Sequence, residues 1–285
     1  MNEQTERQDY FLYFTLPIVL LILLCSGIGI LKPDFYKRET TDWLAQCVGQ
    51  DFSNVFLVAP ILLITSFLSA KGSRIARIIW AGTMITNIYS YVLYCFAVHF
   101  NELFHFYCII LGLSVYSFLV FCAKHFSLDF KTWFAQKVPV KAVGVFLLVI
   151  AAAFYFLWLS QSLPAAVTGG VPASVVSGAL LTNPVHALDY SFFLPLIVIA
   201  GVLLIRKKRL GYFLAPMMLV FALITNVNII SLTLVTMAKA GTNGLPLVGA
   251  FTVLSLICLF FIAIYLRSMD YLSGASDIKA EYPGK

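Results

Sequence analysis

Eight apolar runs, near residues 11–31, 51–70, 78–99, 104–123, 142–163, 183–205, 211–237 and 246–266, constrain this chain more than any other feature. A helix rises about 1.5 Å per residue, so crossing about 30 Å of hydrocarbon takes about 20 residues. Each run has roughly that length. Each is apolar on all faces, whereas strands of a transmembrane barrel alternate polar and apolar positions. The runs therefore predict an all-α polytopic membrane protein with eight transmembrane helices. Composition agrees: of 285 residues 61% are hydrophobic and 11% charged, and mean hydropathy is +0.92. Soluble globular chains are about half apolar and about one quarter charged. A soluble enzyme is excluded, and so is a disordered chain, which needs low hydrophobicity and high net charge.

The formal net charge is +6. The basic residues concentrate in alternate loops: KGSRIAR after the second run, KHFSLDFKTWFAQKVPVK after the fourth and RKKR after the sixth. The opposite loops hold only Lys32, Lys37, Arg38 and Lys239. Basic loops stay in the cytoplasm, so both termini are expected there, in a multi-pass protein of a bacterial inner (plasma) membrane. The charge then reflects topology, and a lipid bilayer rather than nucleic acid is the expected partner. The first run, Phe11–Leu31, exceeds the roughly 7–15 residues of a signal-peptide core and reads as an uncleaved span.

Shifting the chain by 135 to 139 residues superimposes unlike features. Asp51-Phe52-Ser53 falls on Asp189-Tyr190-Ser191, Ile85-Thr86-Asn87 on Ile224-Thr225-Asn226, and the basic loop ending at Arg74 on the one ending at Arg209. The shift predicts two parallel four-helix repeats, residues 1–138 and 139–270, followed by a cytoplasmic tail at 271–285. Parallel repeats occur in transporters that bind substrate between the halves.

No Asp, Glu, Lys or Arg falls in the middle of a run, which argues against carboxylate-based proton coupling and leaves neutral solutes. The polar groups at depth are amides and hydroxyls. Thr83, Asn87, Tyr91 and Tyr94 share a face of the third run, and Thr225, Asn226, Asn228 and Ser231 lie on the seventh. Two readings stand: hydrogen bonding between helices, or Asn87, Tyr91 and Asn226 lining a ligand path between the halves.

A second constellation is expected at the outer surface: His99, His105 and His186 with Asp51, Glu102 and Asp189. Asn183 reads as the cap of a helix whose first residue is Pro184, which puts His186 and Asp189 on one face. Asp51 reads as another N-cap. Imidazole with carboxylate suits a transition metal or acid–base chemistry, so a metal site is left open. The uncharged stretch PAAVTGGVPASVVSGALLTNP and the stretch KPDFYKRETTDWLAQCVGQ, with an interfacial helix at Glu39–Val48, read as outer flaps. No nucleotide, dinucleotide, metalloprotease or paired-cysteine motif is present, so no cofactor is expected.

GQDFSNVFLVAP with KGSRIARIIWAG, and TNPVHALDYSFFLPLIVIAG with RKKRLGYFLAP, resemble an uncharacterised family of prokaryotic polytopic membrane proteins over Gln50 to Leu266. The resemblance implies a bacterial inner membrane and carries no activity. Three functions follow from the residues: a small-solute permease or binding protein with a cleft between repeats, a non-catalytic membrane subunit, sensor or assembly factor, or an outer-face metal or hydrolytic site around His186 and Asp189.

Overall fold

The structure is a computed structural model that describes residues 10–126, 128, 130–134 and 138–269. The expected tail at 271–285 lies outside the described residues. The elements are α1 (Tyr10–Leu31), α2 (Thr41–Ala70), α3 (Arg74–Phe96), α4 (Phe104–His125), α5 (Val140–Thr168), the short α6 (Ala173–Ser177), α7 (Pro184–Ile205), α8 (Arg209–Ala240) and α9 (Leu245–Arg267). Among the described residues no strand forms beyond an isolated bridge between Phe134 and Met269.

Seven of these helices are long and apolar enough to cross a membrane, and α3 is not among them. Their outward faces carry large apolar side chains such as Leu20, Ile64, Phe156 and Phe260, which suits a lipid bilayer. The reason α3 is less apolar lies in its surroundings. It packs against α2, α4 and α8, and most of its residues are buried, including Thr83, Thr86, Asn87 and Ser90. A helix enclosed by protein needs no apolar face toward lipid. By contrast only 17% of the apolar stretch of α9 is buried, against 44% for α2 and α8.

The second helix begins ten residues before the expected 51, which corrects the separate interfacial helix read at Glu39–Val48. Thr40 starts it by accepting a hydrogen bond from Trp43 N at 3.2 Å. From there α2 runs without a break to Ala70. At its other end Gly72, with φ 93°, turns the chain into α3. The last part of α2, Ala59–Ala70, packs on α3, and Trp43 Nε1 donates to Ala97 O at 2.7 Å, so the end of α3 returns to the level of the start of α2.

Backbone marks in α2–α3 recur in α7–α8 at a constant offset of 135 residues. Both α2 and α7 contain one wide π turn, at Asn54–Val58 and Asp189–Phe193. In each, the residue before a proline (Ala59 before Pro60, Leu194 before Pro195) donates its N–H five residues back. Proline has no N–H and crowds the preceding turn, which the wider turn relieves. The next helices begin at Arg74 and Arg209, after positive-φ residues Gly72 and Lys207. In this register Asp189 falls on Asn54 and Asn226 on Tyr91. The expected superpositions of Asp51 on Asp189 and of Asn87 on Asn226 use offsets of 138 and 139, about one helical turn from this one.

Helix α8 joins the two ends of the chain, packing on α2 and α3 as well as on α7 and α9. The approach is close. A Cβ on Gly49 would lie 2.5 Å from Leu232 Cα, and one on Gly82 would lie 2.7 Å from Met217 O and 2.6 Å from Val220 Cβ. Ser231 Oγ donates to Gly49 O at 2.7 Å, and Ser53 donates to the Asn228 side-chain oxygen. Gly82→Val is expected to lower stability by about 1–3 kcal/mol through overpacking. Gly112→Ala, where an added Cβ meets nothing within 4 Å, is expected to be neutral or stabilising by up to about 1 kcal/mol. Thermal unfolding of the two purified variants in detergent checks both.

Candidate functional site

A polar stripe on α2 begins the site. Asp42, Gln46 and Gln50 follow one another at i, i+4 spacing and so share a face. Gln46 Nε2 donates to Asp42 Oδ2 at 3.1 Å, and Gln50 Nε2 to Asn54 Oδ1 at 2.9 Å. That face borders a cavity of ≈ 530 Å³ whose other walls come from α3, α5, α7, α8 and α9. The cavity lies at the end of the bundle opposite the turns at Gly72 and Lys207, since the start of α2 and the α8–α9 loop both line it. The expected flap before α7 takes part: Ser174, Ser177 and Leu180 line the cavity, and Asn183 Nδ2 donates to Ser174 Oγ at 3.0 Å.

Asn183 also caps α7, accepting from His186 N at 3.0 Å. This places His186 and Asp189 on the cavity wall. The π turn starts at Asp189, so its carboxylate leaves the helix where the regular ladder is widened. Trp158 Nε1 on α5 donates to Asp189 Oδ2 at 2.7 Å, and the Tyr89 phenol stands beside the same carboxylate. His186 is 5% exposed and lies over Trp158, with ring centroids 4.7 Å apart. Its Nε2 has no hydrogen-bond partner among the described residues, and neither does Thr225 Oγ1 on the facing wall. Apolar rings of Phe154, Phe251 and Trp43 complete the lining.

Asp51 is elsewhere. It is neither an N-cap nor a surface residue, because α2 starts ten residues earlier. It is 1% exposed and accepts hydrogen bonds from Tyr36 OH and Tyr94 OH, both at 2.7 Å. The rings of Tyr91 and Tyr107 pack at a tilt against Tyr94, with centroids 5.3 and 5.0 Å away. A Cβ on Gly29 of α1 would come within 2.0 Å of Asp51 Oδ2, so the carboxylate fills the space a side chain would take. None of these groups lines the cavity.

Asn87 and Asn226 do not meet across a cleft. Asn87, 0% exposed, donates to Ser114 Oγ on α4 at 2.9 Å, and Asn226, 2% exposed, donates to Cys258 Sγ on α9 at 3.7 Å. Asn87 ties α3 to α4 and Asn226 ties α8 to α9, and neither lines the cavity; Thr225 and Asn228 do. The remaining histidines scatter. His99 Nδ1 is 2.9 Å from Glu39 Oε2, and Glu102 pairs with Lys32 at 3.2 Å. Among the described residues no three of His, Cys, Asp and Glu come together as a metal site. No hydrogen bond joins His186 to Asp189 among them either.

The reading of the sequence passed over Trp158, Gln46, Gln50 and Tyr36. The i, i+4 run of Asp42, Gln46 and Gln50 is a helical signal once the stretch is recognised as part of a span. Trp158 carried none: one tryptophan in an apolar run also suits a membrane interface. No protein-family model, curated protein or solved structure matches this chain.

Burial, with Tyr94 and Asp51 as neighbours, pushes the Tyr36 phenol well above its ordinary 10.0. A raised folded-state value means that stability is complete below pH 10 and is lost as pH rises further. Tyr36→Phe is expected to be less stable than wild type by about 1–3 kcal/mol at neutral pH, since Asp51 loses a donor. It is also expected to flatten the alkaline loss. Thermal unfolding from pH 7 to 11 checks both.

Proposed function

We propose that this chain is an eight-span protein of a bacterial inner membrane that binds, and as a permease would carry, a small solute in the cavity between two parallel four-helix repeats. The cavity itself carries the reading. Its volume falls in the roughly 300–1,000 Å³ range of small-molecule sites. Its wall mixes apolar rings with a few convergent polar groups, and both halves build it: Gln46, Gln50 and Tyr89 on one side, Trp158, His186, Asp189 and Thr225 on the other.

The eighth crossing is supported by the end of α3 returning to the level of the start of α2, where Trp43 bonds Ala97 O; if α2 crosses, α3 crosses with it. The repeat reading rests on the paired π turns and positive-φ turns at a constant offset. Basic residues at the Gly72 and Lys207 turns support a cytoplasmic side for that end, and in that orientation the cavity opens to the outside.

Cysteine labelling from outside tests this. With a membrane-impermeant methanethiosulfonate added to intact cells, Thr225→Cys is expected to react above the wild-type background. The adjacent Asn226→Cys is expected to stay unreactive. A solute that occupies the cavity is expected to slow labelling of Thr225→Cys. Labelling of Asn226→Cys but not Thr225→Cys, or no protection by any of a panel of cationic, neutral and anionic solutes, would contradict the reading.

A further inference from the structure

The charge on the cavity wall is one-sided. Among the described residues that line it there are two carboxylates, Asp42 and Asp189, and no lysine or arginine. Asp42 sits at the rim and is engaged by Gln46. Asp189 is deeper and mostly buried, with neutral donors only. Neutral donors satisfy lone pairs but leave the charge unopposed, and an unopposed carboxylate at membrane depth is costly. Asp51 shows the alternative in the same chain: it takes two phenols at 2.7 Å and does not line this cavity. Asp189 instead faces open space.

Two residues of the same wall carry buried polar atoms without a partner among the described residues. His186 Nε2 is buried without a partner, and a neutral imidazole can present a lone pair there. Thr225 Oγ1 is the other. A carboxylate, an imidazole lone pair and a hydroxyl oxygen are all acceptors, the complement of an N–H-rich cation. Around them stand Trp158, Tyr89 and Phe154, whose ring faces attract a cation and cover an apolar body.

Resting on the solute-binding reading above, we infer that the cavity's ligand class is an organic ammonium: a protonated amine that pairs with Asp189, sits beside His186 and Thr225, and seats an aromatic or other apolar body against Trp158. No chemistry on the ligand is involved. Anions are rejected because nothing cationic lines the site, and neutral alcohols of the same shape lose the ion pair.

The test uses three ligands of nearly the same size, benzylamine, benzyl alcohol and benzoate, titrated calorimetrically at pH 7 into the purified full chain. Benzylamine is expected to bind at least about tenfold more tightly than benzyl alcohol, and benzoate is expected not to bind. Asp189→Asn is expected to lower benzylamine affinity at least about tenfold while leaving that for benzyl alcohol unchanged. The wild-type comparison needs no variant, so it decides the matter even if Asp189→Asn fails to fold. Benzyl alcohol or benzoate binding as tightly as the amine, with the binding lost in Trp158→Ala, overturns the ammonium class and leaves the solute cavity standing. Absence of binding by all three overturns both.

Discussion

A carboxylate inside a helix of membrane-spanning length must find hydrogen-bond donors or a counter-charge, and the arrangement of this bundle follows from how two of them do so. Asp51 and Asp189 both sit inside long helices, and neither has a basic partner among the described residues. Asp51 is enclosed: Tyr36 arrives from the loop before α2, Tyr94 from α3, and Gly29 leaves room on α1. That cluster pins three helices and a loop together. Asp189 is held by Trp158 from α5 and otherwise borders the cavity. One acidic group thus closes its half of the bundle, and the other keeps a wall polar.

The same backbone device recurs in α2 and α7 and is used differently. A proline near the middle of α2 and of α7 forces one wide turn, whose first residue is Asn54 in α2 and Asp189 in α7. Asn54 is wholly buried and donates to Ser26 on α1 at 3.1 Å. Asp189 accepts from α5 and borders open space. In the reading proposed above, an amide in this position makes one repeat a packed scaffold, and a carboxylate makes the other a binding wall. Small residues at Gly49 and Gly82 let α8 press against α2 and α3, which sets the distance across which the cavity is shaped.

Most of the helix positions were legible because length and apolarity are local properties that lipid contact enforces. The capping of α7 by Asn183 was legible too, since an Asn-Pro pair at a helix start has a direct mechanical meaning. The start of α2 was not. Residues 41–50 are polar because they face a cavity and a tyrosine cluster, and polarity outside an apolar run reads as a loop. The same blindness misplaced Asp51. The amides Asn87 and Asn226 looked alike from their surroundings, but which way a polar face points depends on neighbouring helices; here α4 and α9 claim them. The outer histidines looked like a cluster because they share a depth, yet they stand at different points around the bundle, one beside Glu39 and another over Trp158.

The central claim is that Trp158 borders water and not lipid. Collisional quenching reads this directly, by comparing wild type with Trp158→Phe in bilayers. Aqueous acrylamide is expected to quench a tryptophan component that the substitution removes, while brominated lipid leaves that component alone. Acrylamide quenching unchanged by Trp158→Phe, with the lost component instead the one that brominated lipid reached, would contradict a solvent-filled cavity at Asp189.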